Sequence, residues 1–488
     1  MASSVSTAQT PGLLASSERL LAGGSHHAGM LASMSARRRP IASGSVAAML
    51  ALTLVTAWPA AAGDAIVRTP GDPRYDVHLR SGRTGYVWTG TETVTFTNLD
   101  GAPLTDLWIR LWSNGVVGCS AQAIEVSVTD GGSQTGPLTE DCTTMHVTLE
   151  YPVAQGADGS IAMDLRIAVP ARNDRFGHHA GLTYVGSALP TLAISDDAGW
   201  HLDPFVDLGE SFYSVAGTYA VQLDVPAGLD TPTTGVATGT TTVGGRRVTT
   251  YEAHDVRDFE WAAGELTRIA ATTADGTTVR VWYLPSQTSR NDATRALGSA
   301  VTSMESFSDR FGTFPYPEMD VVLSAFTTFG GMEYPTIVFT NPDRNTIAHE
   351  LAHQWWYGIV GNDQFDEPWL DESFASWSEH LPVQPWVGCR MRAWPSATAA
   401  ITNDMGYWAS HQGEYGVIYG QGGCMLANLA GRFGLARFLD ILHDHAADHR
   451  FGIVRTGDFQ AAVESAAATD LPGFDVAAFW DRWRVHPD

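Results

Sequence analysis

His349-Glu350-Leu351-Ala352-His353, with Glu372 nineteen residues further on, most restricts how this chain can fold. Two histidines four residues apart on a helix project from one face, about 6 Å apart along its axis. Both imidazoles can then reach one Zn²⁺ at about 2.0–2.1 Å. Glu350 lies between them and can face the metal's water. Glu372, on a following segment, can supply a third ligand and leave the fourth position open. An open position separates a catalytic zinc from a structural one.

The rest of the chain has room for two or three domains in 488 residues. Hydrophobic content of 44% with 16 Trp supports a sizeable core. The net charge of −24 argues against nucleic acid as a partner, because binding it needs a basic face. All 29 basic residues are Arg. Near the N-terminus Arg37-Arg38-Arg39 precede an apolar run from Val46 to Ala57, and Ala60-Ala61-Ala62 follows. This reads as a secretory signal peptide cleaved near Gly63. The run is too short to span a bilayer, so no stable membrane insertion is expected after cleavage. A secreted, extracellular protein follows, with translation starting at Met30 or Met34. Export and an even cysteine count point to disulfides, paired locally as Cys119–Cys142 and Cys389–Cys424.

Three segments are expected: the N-terminal extension and signal (1–62), an all-β domain (63–284) and a catalytic domain (285–488). Thr91 to Thr97, Leu107 to Trp112 and Tyr219 to Val225 alternate as half-buried strands do. Gly244-Gly245 reads as a hairpin turn, because Arg247 to Tyr251 resumes as a strand. Beyond Pro285, Asp292 to Phe311 has helical spacing, and Val321 to Ala325 and Thr336 to Thr340 read as strands. The helix bearing the two histidines is expected to start at an Asn345 cap and run to Trp356. A second helix carries Glu372 to Trp377.

His349 to Trp356 reads HELAHQWW and Trp369 to Ala375 reads WLDESFA. Here the chain resembles the aminopeptidase N and leukotriene hydrolase family of gluzincin metallopeptidases, over roughly residues 70 to 485. The resemblance implies a β-sandwich or saddle-like N-terminal domain and a thermolysin-like, mostly α catalytic domain. The large C-terminal helical domain of bigger members is expected to be absent. It implies one Zn²⁺ per chain held by His349, His353 and Glu372, with Glu350 as general base. Gly330-Gly331-Met332-Glu333-Tyr334 stands where the family has GxMEN. Glu333 would bind the substrate's free α-amino group, and the Gly331-Met332 backbone would line the peptide. Tyr419-Gly420-Gln421-Gly422 resembles the family's Tyr-x-Lys-Gly, so Tyr419 would stabilise the oxyanion, with Tyr415 as the fallback. Two departures stand out: Tyr334 replaces Asn and Gln421 replaces Lys. No match to the family's second amine anchor is visible.

The resulting expectation is a secreted zinc aminopeptidase acting on peptides, and no oligomeric state follows from it. One rival is a zinc endopeptidase without amine recognition. Another is a catalytically silent binding protein on the same fold. Asp371 is expected to steer a ligand or the helix end, and Trp355 and Trp356 to be core. His443, His445 and His449 are expected on a solvated helix face, with the pairs His178-His179 and His26-His27 equally without function.

Overall fold

The computed structural model describes residues 66–486. The expected signal peptide, its cleavage site, the alternative starts and His26-His27 lie outside them.

The first half is β-rich. A seven-stranded sheet runs in the order Val236–Val243, Arg246–Val256, Gly217–Pro226, Gly71–Ser81, Val87–Thr97, Asp158–Ala168, Ile124–Asp130. Burial alternates along Gly71–Ser81 and Gly217–Pro226, turning Tyr75, Val77, Leu79, Tyr219, Val221 and Leu223 inward. That is the period-2 signal in physical form. A four-stranded sheet built on Leu104–Arg110 and Thr144–Val153 packs over the same core through Leu107, Ile109, Met145 and Val147. The Leu104 strand ends at Arg110, two residues before the expected Trp112. The Gly244-Gly245 hairpin forms, with φ of 60° and 76°, values that a glycine adopts without strain.

The expected all-β character fails at one turn of helix, Asn114–Val117. The Asn114 side chain fixes it by bonding Ile124 and Cys142 backbone groups. The Cys119–Cys142 disulfide closes the same loop, and Cys389–Cys424 also forms.

A five-stranded sheet positions the site. Its order is Thr267–Thr272, Thr278–Tyr283, Glu318–Leu323, Ile337–Thr340, Gly331–Met332. Thr278–Tyr283 pairs in parallel with Glu318–Leu323, so the division drawn at 284/285 runs through a hydrogen-bonded sheet. Helix Arg290–Phe311 makes the crossover such a parallel pair requires. Its N-terminus is capped by Ser289, which accepts a hydrogen bond from Asp292 N. Beyond the sheet the chain is mainly helical, around Phe307, Phe311, Trp355, Trp356, Trp369, Phe374 and Phe459. Both expected core tryptophans, Trp355 and Trp356, are buried. Among the described residues no helix is long and apolar enough to cross a membrane.

Candidate active site

The helix that carries both histidines spans Arg344–Ala352. Asp343 caps it, accepting hydrogen bonds from Asn345 N and Thr346 N, so the expected Asn345 cap is corrected by two residues. The helix also ends four residues before Trp356. Past it, Gly358, Ile359 and Val360 N–H groups reach back five residues, and Tyr357 takes a φ of 130° that no α-helix accommodates. His353 sits at the helix's last cap position with φ and ψ still helical, so its ring stays on the His349 face.

Helix Trp369–Ser378 is buried along its whole length and brings Glu372 to the histidines from its first turn. The positive end of a helix dipole favours a carboxylate there. Glu372 Oε2 lies 3.1 Å from His349 Nε2 and 3.5 Å from His353 Nε2, and the two Nε2 atoms are 3.2 Å apart. Ligands at about 2.0–2.1 Å on a tetrahedral zinc stand about 3.3 Å from one another, so the spacing fits. The far ring nitrogens fit as well. His349 Nδ1 is 3.0 Å from Glu379 Oε2, and His353 Nδ1 is 3.1 Å from the Trp356 carbonyl. Both acceptors place the ring proton on Nδ1 and turn the Nε2 lone pairs inward. Two lone pairs and a carboxylate then face one another, an arrangement that a cation stabilises.

Glu350 is buried, and burial pushes its carboxyl up to about 7 against the opposing pull of His349 and His353. It lies directly on Gly331. A Cβ there would fall 2.6 Å from Glu350 Cδ and Oε1. Gly331-Met332 is the outermost strand of the five-stranded sheet, so one backbone edge is unpaired in that sheet. Glu333 follows, 4% exposed, and no described arginine or histidine pairs with it. Burial raises its carboxyl well above the usual range, and the charges of Glu210, Glu350 and Glu372 raise it further. Tyr334 turns away, its hydroxyl accepting a hydrogen bond from Ser187 in the β-rich region.

Tyr419 lies in a wide helical turn, Ile418–Gly422, held where Ser373 Oγ donates to the Ile418 carbonyl. Widened turns of this kind recur at functional sites. The Tyr419 hydroxyl donates to Glu372 Oε1 at 2.7 Å. Burial, with Glu372 beside it, raises its pKa far above the usual phenol value and keeps it a donor. Tyr415 does not reach the ligand set by any hydrogen bond; its buried hydroxyl packs against Gly209, where a Cβ would come within 2.1 Å. Gln421 exchanges two hydrogen bonds with the Arg392 backbone, and Cys389–Cys424 ties down the same segment. Asp371 Oδ1 accepts from the Glu372 backbone N–H, and its Oδ2 accepts from Gln364.

Two residues at the site escape sequence reasoning. Gln354 donates to the Glu333 and Tyr334 carbonyls and accepts from Thr336 N, fastening the Glu333 segment to the histidine helix. Glu210, from a loop of the β-rich region, is buried and paired with Arg175 at 2.8 Å. Glu210 sits in no motif or periodic pattern, and Gln354, although inside HELAHQWW, finds its partners only in the distant segment 333–336. One expectation about other histidines changes. His445 is buried against Phe459 rather than solvated, and burial lowers its pKa to about 3. His178-His179 lies at the end of the strand Phe176–His179.

Residues 295–412 match the peptidase family M1 domain. Over 257 residues the chain is 26% identical to aminopeptidase M1-B of Oryza sativa subsp. japonica, covering 45% of this chain and 28% of that one. It is 28% identical over 264 residues to aminopeptidase N of Lactobacillus delbrueckii subsp. lactis, covering 45% and 30%. With aminopeptidase N of Streptomyces lividans the figures are 27% over 147 residues, 26% and 17%. The chain thus matches less than a third of the length of these relatives. The fold is similar to that of the M1 zinc metallopeptidase from Deinococcus radiodurans, with a TM-score of 0.61 and 21% identity over 85% of this chain and 94% of that one. Residues 295–412 thus match the peptidase family M1 domain, and the chain is similar there to aminopeptidases N and in fold to an M1 zinc metallopeptidase.

Proposed function

We propose that this chain is a secreted zinc aminopeptidase that removes single residues from the free N-terminus of peptides. On this reading the β-rich region is the family's saddle-like domain and the helical region its thermolysin-like catalytic domain. His349, His353 and Glu372 would hold one catalytic zinc, and the chemistry it would supply is a more acidic water and a Lewis acid for the scissile carbonyl.

The observation that carries the exopeptidase reading is the charge of the site. Glu210, Glu350, Asp371 and Glu372 all act on the buried Glu333 and are themselves buried, while Arg175 pairs with Glu210. Buried carboxylates are costly without a cation. A zinc ion accounts for Glu372, and a substrate ammonium between Glu333 and Glu210 accounts for the next. That ammonium fixes the distance from the N-terminus to the scissile bond. The unpaired edge at Gly331-Met332 can bind the peptide backbone as an added strand would. Glu350 takes the attacking water's proton and passes it to the leaving amine. The Tyr419 hydroxyl donates to the developing oxyanion. Secretion is supported by the Arg37 to Ala62 pattern and by two disulfides, which persist in oxidising compartments.

The test compares aminoacyl-coumarin substrates with and without N-acetylation. The unblocked substrate is expected to be cleaved, acetylation to abolish cleavage, and Glu333→Gln to raise KM at least about tenfold, the loss of a charge-assisted bond. Equal cleavage of blocked and unblocked substrates would establish an endopeptidase instead.

A further inference from the structure

A second set of converging donors lies away from the zinc triad. His201 and Asp203 come from a loop of the β-rich region, and Asp363 from the loop that leads into helix Trp369–Ser378. One ligand atom from each lies within 4.8 Å of the others.

The histidine is held as a metal ligand's ring is held. His201 Nε2 is 2.9 Å from Asp196 Oδ1, and the Asp196 side chain is fully buried. Asp196 also accepts hydrogen bonds from Ala198 N, the Tyr213 hydroxyl and Arg455, so its lone pairs are occupied. It orients the ring and turns Nδ1 towards the cluster. Asp363 Oδ2 lies 3.1 Å from that Nδ1. Asp363 is 7% exposed, and its Oδ2 is buried without a hydrogen-bond donor. Its other oxygen is already used by Phe365 N and Asp366 N. Asp366 Oδ2 stands 4.0 Å from His201 Nδ1. An imidazole nitrogen facing a buried carboxylate oxygen at 3.1 Å repeats the arrangement of His349 and Glu372. Beside it opens a cavity of about 480 Å³ lined by Asp196, His201, Asp363 and Arg455.

We propose that His201, Asp203 and Asp363 bind a second divalent metal ion. One imidazole with two carboxylates suits Zn²⁺ or Mn²⁺ better than Ca²⁺, which prefers oxygen alone. The ion would join the β-rich loop to the segment that positions the zinc ligand. From Asp363 the next residue, Gln364, donates to Asp371 at 2.7 Å, and Asp371 accepts from Glu372 N at 2.7 Å. Its role is to brace that helix, not to take part in bond cleavage.

The experiment is metal content by mass spectrometry after dialysis of the full chain against Zn²⁺, paired with melting in the presence and absence of Mn²⁺. The wild type is expected to hold two zinc ions per chain. Asp363→Asn, which keeps the Oδ1 contacts of the loop, and His201→Gln are each expected to hold one. The double variant His349→Ala/His353→Ala is expected to keep one, which separates this site from the catalytic one. Mn²⁺ should raise the melting temperature of the wild type by several degrees and leave that of Asp363→Asn unchanged. One zinc in the wild type, lost with His349 and His353, would overturn the proposal and assign the cluster to a protonated His201. Two zinc ions in folded Asp363→Asn and His201→Gln would overturn it equally.

Discussion

At the residue scale, Glu350 and Gly331 touch so closely that any side chain at 331 must displace the carboxyl. Gly331→Ala is therefore expected to lower kcat/KM at least about tenfold with zinc content unchanged, by shifting the general base from its working position. Glu350→Gln should retain zinc and lose on the order of 10²–10⁴ in kcat. Unchanged turnover in Glu350→Gln would refute the assigned base. His445 gives a prediction of a different kind. Its folded pKa of about 3 lies below the ordinary value of 6.5. The unfolded chain thus binds the extra proton first, so stability is whole above pH 6.5 and falls as pH drops towards 3. The loss is on the order of 4 kcal/mol. His445→Leu should flatten that slope in chemical denaturation at pH 4 and pH 7; an unaltered slope would assign the loss to other groups. The convergence of His349, Glu350 and His353 was readable in the sequence because all three share about one helical turn. Glu210 and Gln354 were not, because each acquires its partners only when distant segments meet.

At the element scale, strands with strict alternation were legible, and so was helix Arg290–Phe311. Element ends were less so. Asp343 outcompetes Asn345 as the cap because its carboxylate takes two backbone N–H groups at once. Asp343→Ala is expected to cost about 1 kcal/mol of stability. If urea denaturation instead gives no difference, the helix start is held by its packing on the sheet. The far end of the same helix was misread because apolar spacing continues through Trp355-Trp356. Those indoles bond separate partners, the Gly312 carbonyl and Ser378 Oγ, and the backbone leaves the helix as it meets both. The boundary placed at Pro285 followed a change in texture from strand to helix. The sheet ignores that change, because it joins two strands before Pro285 to three after it through the Thr278–Tyr283 and Glu318–Leu323 pair.

At the scale of the whole molecule, the β-rich and helical regions are joined by Arg257. Its buried guanidinium donates to the Tyr357, Ser214 and Gly452 carbonyls. Arg257→Ala would leave three carbonyls without this donor and is expected to destabilise the chain by on the order of 3 kcal/mol. A melting temperature equal to the wild type's would show that water replaces it. The same joint matters for chemistry, since Glu210 comes from one region and Glu333 from the other. The central claim is that these two carboxylates capture a free N-terminus beside a zinc ion. Time-resolved mass spectrometry of an unblocked peptide incubated with the zinc-loaded protein tests it most directly. The account predicts a ladder of products shortened one residue at a time from the N-terminus, abolished by acetylation. Internal fragments, or an intact peptide, would contradict it.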